Sequence, residues 1–286
     1  MTDIVEALAR SQNTLATGCE AAKTKADDKF IQMTQTTKIA LVTGAGKRIG
    51  RAIALALAHD GWDIVVHYRL SAADAEATAG AITSVGRRAV ALACDLSDEA
   101  AVRALVRRAE SALGRISCVV NSASLFDYDD AGSFGVQKLD AHMHANLAAP
   151  VLLAQALHAA TPEGEQAVVI NLLDQKLCNL NPDFLSYTLS KAALQAATTM
   201  LAQALAPKVR VVGLAPGLSM VSGDMDEQAF EQAHRKTPLG KGSTPDDIAN
   251  AACYLARANA VTGTTLMVDG GQHLVPSHRD VMFLTQ

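Results

Sequence analysis

The sequence predicts an α/β fold: a single domain with a doubly wound parallel sheet of about seven strands and helices on both faces. Three observations predict it. From Lys38 onward, short β-branched apolar runs alternate with longer helical ones. Hydrophobic residues make up 49% of the chain and aromatic residues only 4%, so the apolar mass is aliphatic and Ala-rich, as suits helices packed on a parallel sheet. A glycine-rich turn joins the first run to the first helix. At 286 residues the chain is long enough for one large core and short for two.

The elements follow in order. Ile39 to Thr43 is a short strand, and Arg51 to His59 an Ala/Leu helix. Asp63 to Tyr68 is the second strand, Ser71 to Val85 the second helix, Arg88 to Ala93 the third strand and Asp98 to Leu113 the third helix. Ile116 to Val120 gives a fourth strand, Gln137 to Ala160 a long helix, Ala167 to Leu172 a fifth strand and Ser186 to Leu205 another long helix. Val209 to Leu214 and Thr265 to Val268 complete the sheet, with a helix from Pro245 to Arg257 between them. Such alternation implies right-handed βαβ crossovers. Gly217 to Ser243 is expected to be a long irregular insertion leaving the carboxyl edge of the sixth strand, either a substrate cover or an ordinary surface excursion. Residues 1–37 lack a pattern and are read as a flexible N-terminal extension, with Met33 as an alternative start.

Composition narrows the function classes. A net charge of −4 gives no reason to expect nucleic acid or an acidic membrane as partner. No apolar run approaches ~18 residues, so no membrane span is expected, and there is no secretory h-region. Five dispersed cysteines, without a CxxC pair, read as free thiols in a reducing, cytoplasmic compartment, with no metal site.

The first strand runs into Thr43-Gly44-Ala45-Gly46-Lys47-Arg48-Ile49-Gly50, and a helix follows. Glycines there let backbone approach a pyrophosphate, and the helix N-terminus offers free N–H groups; a plain structural turn is the alternative. An NAD-type site places an acid at the end of the second strand to bind the ribose 2′-OH. Here that strand ends His67-Tyr68-Arg69-Leu70-Ser71, with no carboxylate until Asp74. Arg69, aided by Ser71 and His67 and by the nearby charge of Lys47 and Arg48, could hold a 2′-phosphate, against a merely solvated Arg. Asp95-Leu96 closes the third strand, where the carboxylate either meets an adenine amino group or, with Ser97, caps the next helix. Asn121-Ser122-Ala123-Ser124 closes the fourth with small residues, as close cofactor contact or a plain turn would require.

Tyr187 and Lys191 lie one helical turn apart on one face. An ammonium beside a phenol is expected to lower its pKa and make it a usable proton donor or acceptor. With the Rossmann-type nucleotide turn upstream, these motifs, Asn146 and Pro216-Gly217 resemble the short-chain dehydrogenase/reductase family in order and spacing, over roughly Lys38 to Leu274.

Two departures narrow the resemblance. Arg48 stands at the middle glycine of TGxxxGxG, and Asp174 stands where the family has its catalytic Ser, thirteen residues before Tyr187. Both resemble the pteridine reductases, as do His67-Tyr68, Asn121 to Phe126 and Pro216-Gly217-Leu218-Ser219. Leu70, at a position often basic in those enzymes, and Ser122, in place of a second Asn, depart from their pattern.

The resemblance implies NADPH/NADP+ as cofactor, a pterin-like small-molecule substrate and a homo-oligomer, specifically a homotetramer. It implies that Phe126 stacks on the pterin, that Arg48, Ser124 and Leu218 meet substrate or phosphates, and that Lys191 tunes Tyr187 and holds the nicotinamide ribose. It further implies that Asn146 supports Lys191 through a bound water. An ionised Asp cannot donate to a developing alkoxide, whereas reduction of C=N needs a proton on nitrogen, so Asp174 points away from a simple ketone. A purely orienting Asp174, a carbonyl reductase of the same family, and a non-catalytic NADP(H) sensor are the alternatives.

Overall fold

In the computed structural model, which describes residues 38–221 and 227–283, strand and helix alternate from the first described residues. The extension over residues 1–37 lies outside the described residues. β1 (Ile39–Val42) leads into α1 (Arg48–His59), β2 (Asp63–Tyr68), α2 (Ala72–Ser84), β3 (Ala89–Ala93), α3 (Glu99–Leu113) and β4 (Cys118–Asn121). Then come α4 (Val136–Met143), a π-helical turn (His144–Ala148), α5 (Ala149–Ala160), β5 (Ala167–Leu172), α6 (Leu185–Ala204) and β6 (Val209–Pro216). α7 (Glu227–Arg235), α8 (Pro245–Arg257) and β7 (Thr265–Val268) follow. The strands are all parallel, in the order β3-β2-β1-β4-β5-β6-β7. The single doubly wound domain expected from the alternation is therefore present.

Strand periodicity sorts the core into two layers. Ala40, Val42, Ile64, Val66, Val120 and Ile170 face α1, α2 and α8, against Ile53, Leu57, Ile82 and Ile248. Ile39, Leu41, Val65, Val119, Val169 and Val211 face α3, α5 and α6, against Leu105, Leu153, Leu157 and Leu205. Nearly every one of these strand residues is fully buried, so the strands read as continuous apolar runs rather than alternating ones.

Three elements differ from expectation. The long helix expected over Gln137 to Ala160 is interrupted by the π turn, which the hydrophobic period cannot reveal; such turns cluster at functional sites. The insertion from Gly217 to Ser243 is not wholly irregular, because α7 forms within it around Phe230 and His234, whose rings lie 4.0 Å apart. α1 begins at Arg48 rather than Arg51, since the glycine turn passes directly into the helix. None of the described helices is long and apolar enough to cross a membrane.

Arg210, on β6, is buried where the strand pattern calls for an apolar residue. Its guanidinium donates to the carbonyls of Val261 (2.9 Å), Leu255 (3.1 Å) and Ala256 (3.2 Å). It thereby satisfies carbonyls left without an intrahelical partner at the C-terminus of α8 and complements that end of the helix dipole. Arg210→Ala should cost about 3 kcal/mol of stability, since it strands buried carbonyls and opens a cavity. Urea unfolding measures this, and KM for the nucleotide should stay unchanged because the site lies at the opposite end of the strands.

Candidate active site

The strand order reverses direction between β1 and β4, which opens a crevice at the carboxyl ends of the strands. A cleft of about 820 Å³ occupies it. Gly44, Lys47, Arg48, Ile49 and Gly50 line one end. Gly44 sits at φ 65°, and a Cβ there would lie 3.0 Å from the Ala123 Cα. A Cβ on Gly50 would lie 2.4 Å from the Gly44 carbonyl oxygen, so only glycine lets helix and turn approach. Thr43 Oγ1 accepts from the Ser122 and Ala123 N–H groups, each at 3.0 Å, tying this turn to the end of β4. Arg48 takes φ 51°, the left-handed geometry for which the usual glycine is suited, and its guanidinium donates to the Val221 carbonyl at 3.0 Å. α1 has no side-chain cap and no acid in its first turn. Its N–H groups and positive dipole end are thereby left for an anion, and a dinucleotide's phosphates fit this cradle.

At the end of β2, Arg69 and Ser71 line the cleft, as expected for a 2′-phosphate site. His67 borders the cleft with them, but both of its ring nitrogens are engaged with backbone. It is buried; its Nδ1 accepts from the Gly44 N–H and its Nε2 donates to the Cys94 carbonyl, both at 3.1 Å. Burial pushes its pKa down to about 4, so it is a neutral strut joining β2, the glycine turn and β3. Tyr68 packs against the core instead of entering the cleft, because alternation along β2 turns it inward. Lys47 pairs with Asp74 at 3.0 Å, which offsets much of the positive charge expected of it.

Asp95 and Leu96 line the cleft beside Arg69. Asp95 Oδ1 accepts from the Ser97 N–H (2.9 Å) and hydroxyl (2.8 Å), and these bonds hold its pKa below the usual range. Neither Asp95 nor Ser97 caps α3; Asp98 does, accepting from the Ala101 N–H at 3.1 Å. Asn121 does not reach the cleft either. Its amide donates to Asn171 Oδ1 at 2.8 Å, directly across the β4–β5 register.

Ala123, Ser124 and Phe126 line the cleft beyond β4. Asn146 sits in the π turn with its side chain committed. Oδ1 accepts from the Leu125 N–H (2.8 Å) and Ser124 hydroxyl (3.2 Å), while Nδ2 donates to the Leu125 carbonyl and Ser190 Oγ, each at 3.0 Å. It therefore fastens the loop carrying Ser124 and Phe126 to α6. Phe126 stacks on Phe184 with centroids 4.2 Å apart at 14°, and meets Tyr187 edge-on at 4.6 Å.

The chemistry is concentrated where α6 meets the end of β5. The Tyr187 hydroxyl donates to Asp174 Oδ2 at 2.7 Å. Asp174 Oδ1 accepts from the Lys176 N–H at 2.8 Å, which caps a 3₁₀ turn (Gln175–Cys178). Lys191 Nζ donates to the Leu172 carbonyl at 2.7 Å and lies 5.7 Å from the Tyr187 ring centre. Burial raises the Asp174 carboxyl above its ordinary value, and Asp280 adds to that while Lys176, Tyr187 and Lys191 oppose it. Burial pushes Lys191 down to about 8.

The Tyr187 phenol moves opposite to expectation. Burial, then the neighbouring Asp174 charge, raise it well above its ordinary value, because the carboxylate stands nearer the hydroxyl than the ammonium does. Tyr187 and Asp174 line the cleft, whereas Lys191 and Asn146 lie behind it.

Gly217 and Leu218 enter the cleft from β6, while Pro216 ends that strand in the core. Sequence reasoning missed Gln272, whose Oε1 accepts from the Leu218 N–H at 3.0 Å. It also missed Asp280, Val281 and Met282, which line the cleft together with Asp174 and Tyr187. No period or motif marks that tail, so nothing local could have found them.

A family model described as Enoyl-(Acyl carrier protein) reductase matches residues 44–273. The crystal structure of FolM alternative dihydrofolate reductase 1 from Brucella canis, complexed with NADP, is 38% identical with a TM-score of 0.81, covering 85% of this chain and 96% of that one. Pteridine reductase 1 of Leishmania tarentolae is 31% identical over 283 residues, covering 84% of this chain and 97% of the relative. The 3-oxoacyl-(acyl-carrier-protein) reductase FabG of Staphylococcus aureus is 30% identical over 246 residues, covering 83% and 99%.

The His67 strut has a pH signature. An unfolded imidazole binds its proton near pH 6.5, and the folded one only near 4, so between these values the unfolded state holds more protons. Stability should therefore fall as pH drops through that window, by about 3 kcal/mol in all. In His67→Gln, which keeps an acceptor and a donor, urea midpoints between pH 7 and 4 should lose most of this slope.

Proposed function

The chain belongs to the short-chain dehydrogenase/reductase family, and we propose that it is an NADPH-dependent reductase of a C=N bond in a dihydropterin or dihydrofolate. The observation that carries the reading is the part-buried 2.7 Å hydrogen bond between Tyr187 Oη and Asp174 Oδ2. Held by the Gly44–Gly50 turn, Arg69 and Ser71, NADPH would supply the hydride for the substrate carbon. The chain's own residues supply the rest.

An uncapped α1 N-terminus and the Gly44–Gly50 cradle support pyrophosphate binding. Arg69 and Ser71, without an acid between them, support a 2′-phosphate over a bare ribose. The flat face of Phe126 supports stacking of a planar ring. The proton travels from Tyr187 Oη to the substrate nitrogen, and the phenol is recharged from a protonated Asp174 Oδ2. This order follows from electrostatics. A phenolate beside an ionised Asp174 is doubly disfavoured, so Tyr187 can release its proton only when Asp174 carries one. Burial holds Asp174 toward that protonated form.

Similarity to the Staphylococcus aureus enzyme favours a second reading, reduction of a ketone. Asp174 weighs against it, since it takes the place of the hydroxyl donor that the family sets beside a developing alkoxide. Buried unpaired thiols at Cys94, Cys118 and Cys253 are consistent with a cytoplasmic enzyme, which we take to be a homotetramer.

Two sets of measurements test the reading. Efficiency with NADPH should exceed that with NADH at least ~10-fold, or ~1.4 kcal/mol, and Arg69→Ala should erase most of the gap. Equal efficiency with both nucleotides in the parent would overturn that part. NADPH oxidation should proceed with dihydrobiopterin, dihydromonapterin or dihydrofolate, and Tyr187→Phe and Asp174→Asn should each lower kcat roughly 10²-fold. Asp174→Ser should lose pterin turnover while gaining weak activity on ketones. Full pterin activity in both Asp174 variants would leave it an orienting residue.

A further inference from the structure

The C-terminal tail turns back on its own chain. After β7 it runs through a 3₁₀ turn (Gln272–Leu274), and Asp280, Val281 and Met282 then form part of the cleft wall with Asp174 and Tyr187. Buried charges fasten it. Lys176 Nζ, whose residue is 3% exposed, donates to Asp280 Oδ2 at 2.8 Å and to the Asp183 carbonyl at 2.7 Å. Asp183 Oδ2 accepts from Arg279 Nε and from the Asp280 N–H, each at 2.8 Å. Phe283 lies against Tyr128 and Phe184, with centroids 5.6 and 6.2 Å away. The anchor belongs to the catalytic end, because the turn carrying Lys176 is the one that Asp174 caps.

A fastener alone does not need a buried ion pair; apolar side chains of similar volume hold a strap at lower desolvation cost. Asp280 has capacity beyond fastening. Oδ2 serves Lys176 and Oδ1 accepts from the Met282 N–H at 3.1 Å, which leaves each oxygen a further lone pair. Beside this pair stands the flat Phe126–Phe184 stack, with Lys176 Nζ 5.5 Å from the Phe184 ring centre, and Val281 and Met282 line the same cleft. A planar aromatic face bordered by the Asp280 carboxylate, with the proton-handling Asp174 on the same wall, fits a planar heterocycle with N–H donors along one edge. It does not fit an acyl chain or an aliphatic ketone.

We propose that Asp280 is a substrate-recognition residue delivered by the chain's own C-terminal strap, accepting hydrogen bonds from the N–H edge of an aminated heterocycle, with Lys176 as the residue that positions it. This rests on the pterin reading, since a pterin's amino group and ring N–H make such an edge. It separates two carboxylates by role: Asp174 moves the proton and Asp280 binds.

The test is steady-state kinetics of the full-length enzyme with dihydrobiopterin at saturating NADPH. Asp280→Asn should raise KM for the pterin at least about tenfold while kcat stays within about twofold, the loss expected of a hydrogen bond to a charged group. KM for NADPH should not move. The double variant Lys176→Met with Asp280→Leu replaces the ion pair by apolar side chains, keeps the strap packed and should show the same rise; circular dichroism and thermal melting verify folding. Asp280→Glu should recover part of the affinity. Unchanged pterin KM in folded Asp280→Asn and in the double variant overturns the proposal, as does a fall confined to kcat. A parent enzyme that reduces no dihydropterin overturns both the functional reading and this inference, whereas active parent with unmoved KM in the variants overturns this inference alone.

Discussion

One hydrogen bond organises the catalytic half of this molecule. The Tyr187 phenol and the Asp174 carboxyl meet at 2.7 Å on the wall of the cleft, with the phenol itself buried. Two acids so close cannot both ionise there, because each charge would be desolvated and would repel the other. The pair therefore holds at least one proton across neutral pH. The surroundings fix its geometry. Lys176 N–H pins the second carboxyl oxygen, Phe126 lies edge-on to the phenol ring, and Asn146 fastens the Phe126 loop to α6. Lys191, pushed down to about 8 by burial, supplies its positive charge from behind the cleft, bound to the Leu172 carbonyl.

The nucleotide end follows a different logic, with backbone rather than side chains as the working surface. Gly44 and Gly50 let the turn, the helix and the end of β4 approach within contact distance. Thr43 and the neutral His67 hold that turn to the neighbouring strands. Charge is sparse: Lys47 is paired with Asp74, so Arg69 has the larger share in any 2′-phosphate contact. Both ends meet at the reversal of strand order, which places a nucleotide cradle and a proton-handling pair in one cleft.

Much of this was legible in the sequence, for identifiable reasons. Strand and helix positions followed from apolar periodicity, Tyr187 and Lys191 from their spacing on one helix, and Asp174 from the family resemblance. What escaped was whatever depends on tertiary placement. Alternation within β2 decides that Tyr68 faces the core and that His67 spends both ring nitrogens on backbone partners. Register between β4 and β5 pairs Asn121 with Asn171. The π turn leaves no periodic mark, and the C-terminal strap reaches the cleft through contacts almost a hundred residues apart, as between Asp183 and Asp280. The direction of the Tyr187 shift was misjudged because the spacing shows Lys191 but neither the burial of the phenol, the largest cause of the rise, nor the Asp174 carboxyl that accepts its hydrogen bond.

The central claim is that Asp174 is a proton-holding carboxyl rather than an ordinary charged one. A ¹³C NMR titration of aspartate carboxyl carbons in the folded enzyme, with Asp174 assigned by its absence in Asp174→Asn, measures this directly. The account predicts a midpoint clearly above the ordinary aspartate value of 3.8, and a further rise as NADPH binding excludes water. A midpoint at or below 3.8 would contradict it, leaving Tyr187 beside a permanent carboxylate with no second proton to draw on.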